Sequence, residues 1–258
     1  MTQSSDDLLR AVSLRGRRWL EDSLLPRQAQ ILKCQPEHEA IRASLIDPVA
    51  CLRLIYGLYA FSRRSGNYDE LARTAVKAID ARPTGSPSEV YRAFCSFDPS
   101  FENPRNFQVV AGLAELSQEV CGLPGVHSIY DWITQAAEKT QRVEKAFLRI
   151  VEIRGVGPKL ASVIMRDFIE IAQLELSILA IDQIYMQPIN KQVRRFATAV
   201  VPELDPEKSA DWILAGKIAK AARAAGVSGI RVNMGAQTIP LDEPLESLAN
   251  STNATSSS

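Results

Sequence analysis

Long apolar runs are missing from this chain, and so is the set of functions that needs them. Its longest, such as Ile178 to Ile181, fall far short of the roughly 20 residues that span a bilayer. Met1 to Arg18 sets Asp6 and Asp7 ahead of its arginines around no continuous apolar core, so it does not read as a signal peptide. Cysteine is scarce and scattered: Cys34, Cys51, Cys95 and Cys121 form no C-x-x-C pair. That spacing argues against a zinc site, an iron–sulfur cluster and a disulfide framework, and fits a reducing, cytoplasmic setting. The only two histidines, His38 and His127, stand apart and read as surface or cap residues rather than ligands, so no metal site is expected. Net charge is also absent, with 30 basic residues balancing 30 acidic ones, so no global electrostatic case for nucleic acid exists.

Strand patterns are nearly absent as well; the periodicity is helical. Leu52, Ile55, Tyr56 and Tyr59 recur at three- and four-residue steps, as do Val143, Phe147, Ile150 and Val151. Ser86-Pro87-Ser88-Glu89 supplies a capping serine, a proline at the first helical position and the glutamate of a capping box. Asp205-Pro206-Glu207-Lys208 reads as a second start of this kind. Breaks rich in Gly, Pro and Asn near 83–87, 98–106, 122–125, 155–158 and 202–206 leave room for roughly ten helices. Positive charge is local: no acid occurs between Trp212 and Leu241, where Lys217, Lys220, Arg223 and Arg231 fall. Glu138 to Phe168 carries seven basic residues against four acidic. Such segments are compatible with a nucleic-acid face, and equally with an ordinary solvated surface. The stretch 241–258 ends in small polar residues, holds too little apolar surface to order itself, and is expected to be a disordered tail.

The most specific local pattern is an amphipathic stretch from Phe147 to Arg154, then Gly155-Val156-Gly157, then Pro158-Lys159 opening a second amphipathic stretch to Phe168. Two glycines permit a tight reversal and leave backbone N–H groups exposed at a helix start, where the helix dipole favours a phosphate. Val156 is expected to point inward and pin the turn, and Pro158 suits the first helical turn, where a missing N–H matters little. The plain alternative is a helix–helix turn with a glycine cap.

This segment resembles the hairpin of the helix-hairpin-helix DNA glycosylase superfamily, which includes endonuclease III and the 8-oxoguanine glycosylases. Lys159 falls at the position of the Schiff-base lysine of the bifunctional members. A second match runs from Gln187 to Phe196, where Pro188-Ile189-Asn190-Lys191-Gln192-Val193-Arg194-Arg195 parallels a family helix start with a catalytic aspartate at the place of Asn190. The resemblance covers about 143–200 and is faint elsewhere. It implies an all-α fold of two lobes: 48–175 ending in the helix-hairpin-helix at about 143–170, and 1–47 joined with 176–240, with the active cleft between them. It further implies a monomer that binds duplex DNA without a metal or organic cofactor. Gly155, Val156, Gly157, Lys159, Arg194 and Arg195 are its DNA-binding candidates, and the activity is base excision on an extruded base, with Lys159 as nucleophile or phosphate contact.

Position 190 departs from the family. Asparagine caps a helix about as well as aspartate, but it carries no charge and cannot act as a base. Loss of one such electrostatic element typically removes about 3 kcal/mol of transition-state stabilisation. Asp182, within a segment longer than in the resembled family, is a substitute carboxylate to set against an ordinary surface residue. Asp167 lies on the Lys159 helix face but roughly 12 Å along the axis, and suits an ion pair or cap. The alternative to an enzyme is therefore a DNA-binding relative without turnover, or an inactivated one with asparagine in place of a natural aspartate. Arg105, Asn106 and Gln108 are candidates for the wedge that fills the gap left by a flipped base, whereas Trp19, Trp132 and Trp212 read as core.

Overall fold

The computed structural model describes residues 3–61, 68–205, 208–245 and 248. Among them there are thirteen α-helices and no strand, so the fold is all-α. The chain divides into two compact units, one of 1–24 with 178–258, the other of 25–177.

The first unit holds α1 (Gln3–Trp19), α11 (Lys191–Val200), α12 (Asp211–Ala224) and α13 (Gly229–Gln237). The second holds α2 (Leu25–Leu32), α3 (His38–Leu45), α4 (Pro48–Leu54), α5 (Tyr68–Ala81), α6 (Pro87–Phe97), α7 (Pro104–Cys121), α8 (Ile129–Thr140), α9 (Glu144–Val151) and α10 (Pro158–Ala172). The boundary near the N-terminus is at 24/25 rather than 47/48, because α2 and α3 have partners in the second unit. The Gln28 amide donates to the Tyr59 hydroxyl at 3.0 Å, and Ser128 at the start of α8 donates to the Leu45 carbonyl at 2.7 Å. Such long-range side-chain bonds leave no periodic trace in a sequence.

Within the first unit, α1 and α13 touch backbone to backbone. A Cβ on Gly16 would lie 1.9 Å from the Arg231 carbonyl oxygen, and one on Gly235 would lie 1.9 Å from that of Val12. Only hydrogen fits at either place. Around this crossing Leu9, Val12, Val193, Phe196, Leu214, Ile218 and Val232 form a buried apolar cluster. Next to the crossing, the Arg15 guanidinium donates to Thr238 and pairs with Glu243 at 3.0 Å. Leu245 is buried in the same cluster. Glu243 and Leu245 are therefore held to their unit, which moves the start of the expected tail beyond them. The remainder of that tail, apart from Leu248, lies outside the described residues.

The capping box expected at Ser86 is present: Glu89 N–H donates to Ser86 Oγ at 3.4 Å and Ser86 N–H to Glu89 Oε2 at 2.8 Å. Of the second expected start, Pro206 and Glu207 lie outside the described residues, and the described helix begins later, at Asp211. Trp212 is exposed, and Trp19 and Trp132 are half-buried, so none of the three tryptophans is the fully enclosed core residue expected.

The crossing yields a stability prediction. Gly16→Ala forces α1 and α13 apart and should destabilise the protein by about 3 kcal/mol. Gly157→Ala, whose Cβ would meet nothing within 4 Å, should stay within about 0.5 kcal/mol of the parent. Urea denaturation of the three proteins measures both, and equal midpoints for Gly16→Ala and the parent would contradict the close crossing.

Candidate nucleic-acid interface

In the second unit, α9 and α10 are joined by a six-residue turn, and two of its residues hold it in place. Gly155 has φ +91°, in the region that favours glycine, and a Cβ there would sit 2.5 Å from Val109 Cγ2 on α7. Glycine is thus needed twice over, for conformation and for the approach to α7. Val156 is 2% exposed and points inward, and its N–H donates to the Ile153 carbonyl at 2.9 Å. Burying a valine this fully contributes about 2 kcal/mol. Gly157 differs. Its backbone (φ −80°, ψ 168°) is open to any residue, so the reversal uses one glycine rather than two.

Gly157 is the N-cap of α10, and with no side chain it supplies no cap. Pro158 occupies the first helical position, and Lys159 the next, half-buried. By contrast Asp47, Ser86, Asn103, Ser128, Asn190 and Ser228 each place an oxygen on the first turn of their helix. No side chain caps α10 beside the open space at Gly157; Pro158 has no N–H to offer there, and the Leu160 N–H turns back to the Gly157 carbonyl at 3.0 Å. A depression of about 360 Å³ lies along the turn, lined by its backbone together with Arg154 and with Arg105 of α7. Two guanidinium groups and an uncapped helix start share this one surface, with Glu152 as the acid among them. Arg149 ties Glu152 at 3.4 Å, and Glu119 more closely. The bond to Arg149 holds the exposed Glu119 carboxyl below its ordinary pKa.

Behind the turn, α10 is anchored by a buried polar group. Arg166 Nε and Asp167 Oδ1 are 2.8 Å apart, and both side chains are almost fully enclosed. Asp167 is therefore an ion-pair residue, one of the two roles expected of it. Burial first, and the Asp167 carboxylate next, hold the Tyr59 phenol well above its usual pKa. Tyr59 lies on a π-helical turn over Ile55–Tyr59, and its ring meets Phe168 of α10 edge-on at 6.4 Å. Gln28, Tyr59, Asp167 and Arg166 thus lock α10 in place.

The remaining candidates belong to the first unit. Asn190 is the N-cap of α11, where its Oδ1 accepts from Val193 N–H at 2.8 Å. Arg194 donates to the Ser209 carbonyl at 2.9 Å and pairs with Asp211; Arg195 donates to the Pro240 carbonyl at 2.8 Å and to that of Glu243. Both arginines therefore have partners inside their own unit. Asp182 is 1% exposed, in a 3₁₀ turn over Ala180–Met186 that packs on α12, so it is not the surface residue that was the alternative to catalysis. Sequence reasoning missed Gln187, which is buried with no partner for its Oε1 among the described residues. An unsatisfied buried oxygen costs about 1–3 kcal/mol. Its one sequence signal was its place just before Pro188.

Of the wedge candidates, Asn106 is buried and donates to the Phe101 carbonyl at 2.7 Å, which removes it from that role. Arg105 is exposed and Gln108 half-buried. All four cysteines are free thiols, and burial pushes that of Cys51 up to about 12. Among the described residues no three of His, Cys, Asp and Glu gather as a metal site, and no helix is long and apolar enough to cross a membrane. No protein-family model matches the chain, and neither does any curated protein or solved structure.

The cap at Asn190 makes a direct prediction. Asn190→Asp keeps the oxygen and should change stability by less than about 0.5 kcal/mol, whereas Asn190→Ala should lose about 1 kcal/mol. Thermal melts of the two variants and the parent decide it, and an Asn190→Ala protein as stable as the parent would rule out the cap.

Proposed function

We propose that this chain binds duplex DNA by seating a backbone phosphate at the Gly155–Lys159 turn, and that it does so as a base-excision glycosylase. The carrying observation is the uncapped start of α10, which borders open space at Gly157 and shares a depression with Arg105 and Arg154. The positive end of the helix dipole and the backbone N–H groups of the glycine turn are complementary to a phosphate. Two arginines add charge that bears no sequence information, so binding is nonspecific and salt-dependent. In this reading the protein acts as a monomer in the cytoplasm, bends the duplex and inspects an extruded base.

The chemistry assigned to Lys159 is attack by its neutral amine on the sugar C1′. The C1′–N bond breaks and the base departs with the bonding pair, taking one amine proton; the ring C1′–O4′ bond then opens with the second amine proton passing to O4′, and the sugar is left as an imine on lysine. Elimination of the 3′ phosphate from that imine would follow. Asp182 is the substitute carboxylate in this reading, and its burial accords with a group kept from bulk water.

A second reading, DNA binding without turnover, is favoured by one observation. Asn190 sits where the resembled family keeps its aspartate, and its Oδ1 is spent on the Val193 amide. On either reading Arg194 and Arg195 would have to exchange their present carbonyl and carboxylate partners for phosphate. The hairpin is therefore the principal contact.

The binding test is Gly157→Asp, which sets a carboxylate against the phosphate where no protein atom interferes. It should weaken binding to all duplex sequences by about tenfold or more, with Gly157→Ala close to the parent. Equal binding by Gly157→Asp and the parent at matched salt would overturn the phosphate seat.

The chemical test is borohydride trapping on a duplex with an abasic site. On the glycosylase reading a cross-link forms, is lost in Lys159→Gln, and strengthens by about a hundredfold in Asn190→Asp if no other carboxylate serves. If Asp182 serves, Asp182→Asn abolishes it and Asn190→Asp changes little. No adduct from any of these proteins on a broad panel of altered bases would leave the binding reading standing.

A further inference from the structure

At the other end of α9 from the hairpin turn, the second unit carries a pocket of about 360 Å³ that the DNA-binding reading does not use. Trp132 of α8 forms one wall, half-buried, with Ala136 on the same helix face four residues on and Ala146 of α9 facing the pocket too. Two alanines beside an indole leave a slot next to an aromatic face. Arg142, Glu144 and Lys145 stand around it. This volume lies near the lower end of the range for small-molecule sites, roughly 300–1,000 Å³, enough for a single ring system with one polar substituent.

The rim is held in shape by local bonds. α8 ends on Gln141 at φ 57°, in the left-handed region, with its N–H on the Ala137 carbonyl. Thr140 Oγ1 donates to the Ala136 carbonyl at 2.7 Å and accepts from Arg142 N–H at 3.2 Å, so the threonine hydroxyl fixes the backbone from which Arg142 projects. The Arg142 guanidinium is then oriented by Glu144 at 2.8 Å. Lys145 is exposed and pairs with no acid among the described residues.

We propose that this pocket binds one nucleotide, with its base against Trp132 and its phosphate on Lys145 and Arg142. An aromatic face with a cation beside it suits a planar ring joined to an anion. Stacking on the indole is tolerant of which base is present, and the charge-assisted bonds to phosphate supply the remainder. The Glu144 carboxylate can accept from an amino or imino N–H on the base edge. The nucleotide comes either free, as a monophosphate, or as one unit of a single strand. The pocket and the hairpin turn lie at opposite ends of α9, whose eight residues span roughly 12 Å, and they share no lining residue.

The test is calorimetric titration of the full chain with thymidine, thymidine 5′-monophosphate and a ten-residue oligothymidylate. The monophosphate should bind with Kd on the order of 0.1 mM, and thymidine at least about fivefold more weakly because it lacks the phosphate. Trp132→Leu should weaken the monophosphate by about tenfold or more, with recovery in Trp132→Phe. Lys145→Gln, a surface change that leaves the fold alone, should weaken it by about threefold or more. An oligomer that binds more than about tenfold tighter than the monophosphate assigns the site to a strand, and equal binding assigns it to the free nucleotide; both support the proposal. No saturable binding of any of the three, thymidine binding as tightly as its monophosphate, or unchanged affinity in Trp132→Leu would overturn it. Gly157→Asp separates this site from the duplex interface: the variant should bind the monophosphate like the parent, and loss there would place the nucleotide at the hairpin instead.

Discussion

The hairpin surface depends on the approach of Gly155 to Val109. At φ +91° the chain reverses in a conformation that side chains resist, and the missing Cβ lets the turn lie against α7. That contact sets the direction in which α10 starts. It also brings Arg105, one helical turn before Val109 on α7, beside the turn residues that line the same depression. Any side chain at 155 would collide with Val109 or alter the reversal, and the start of α10 would be aimed elsewhere. Val156 secures the turn from inside, and the enclosed Arg166–Asp167 pair with Tyr59 secures the helix behind it. The open face at Gly157 is thus presented by a rigid support, which is what a phosphate seat requires.

The charged residues separate by the same logic. Arg166 and Asp167 are enclosed and matched to each other, and serve the scaffold. Arg15, Arg194 and Arg195 bind carbonyls and carboxylates that hold 238–243 and the start of α12 onto the first unit. Arg105 and Arg154 border the hairpin depression, and Arg142 and Lys145 border the Trp132 pocket. A chain with no net charge can still present local cationic surfaces, because its acidic and basic residues are unevenly distributed over it.

The all-α class was legible because helical periodicity and capping residues act over a few positions. Ser86 through Glu89, and Asn190 before Lys191, state their helix starts in four residues. Val156 was legible for a similar reason: an apolar residue between two glycines has one direction in which to hide. The unit boundary at 24/25 was not, since Gln28 finds Tyr59 and Ser128 finds Leu45 across 31 and 83 residues. Nor was the burial of Asp182, or the sealing of Gly16 against Gly235, because nothing local distinguishes them from a surface acid and two helix-weakening glycines. Gly157 was over-read as a requirement of the turn; its backbone would accept any residue, and its bareness matters only to what approaches from outside. Arg194 and Arg195 looked like free cations because their partners, near 209–211 and 240–243, are distant in sequence.

Amide chemical shifts report on the proposed phosphate seat itself. In a uniformly 15N-labelled protein titrated with a short duplex at low salt, the account predicts the largest perturbations at Gly155, Val156, Gly157 and Lys159, reversed as salt is raised. Perturbations confined to other segments, with the Gly155 and Gly157 amides unmoved at saturation, would contradict it.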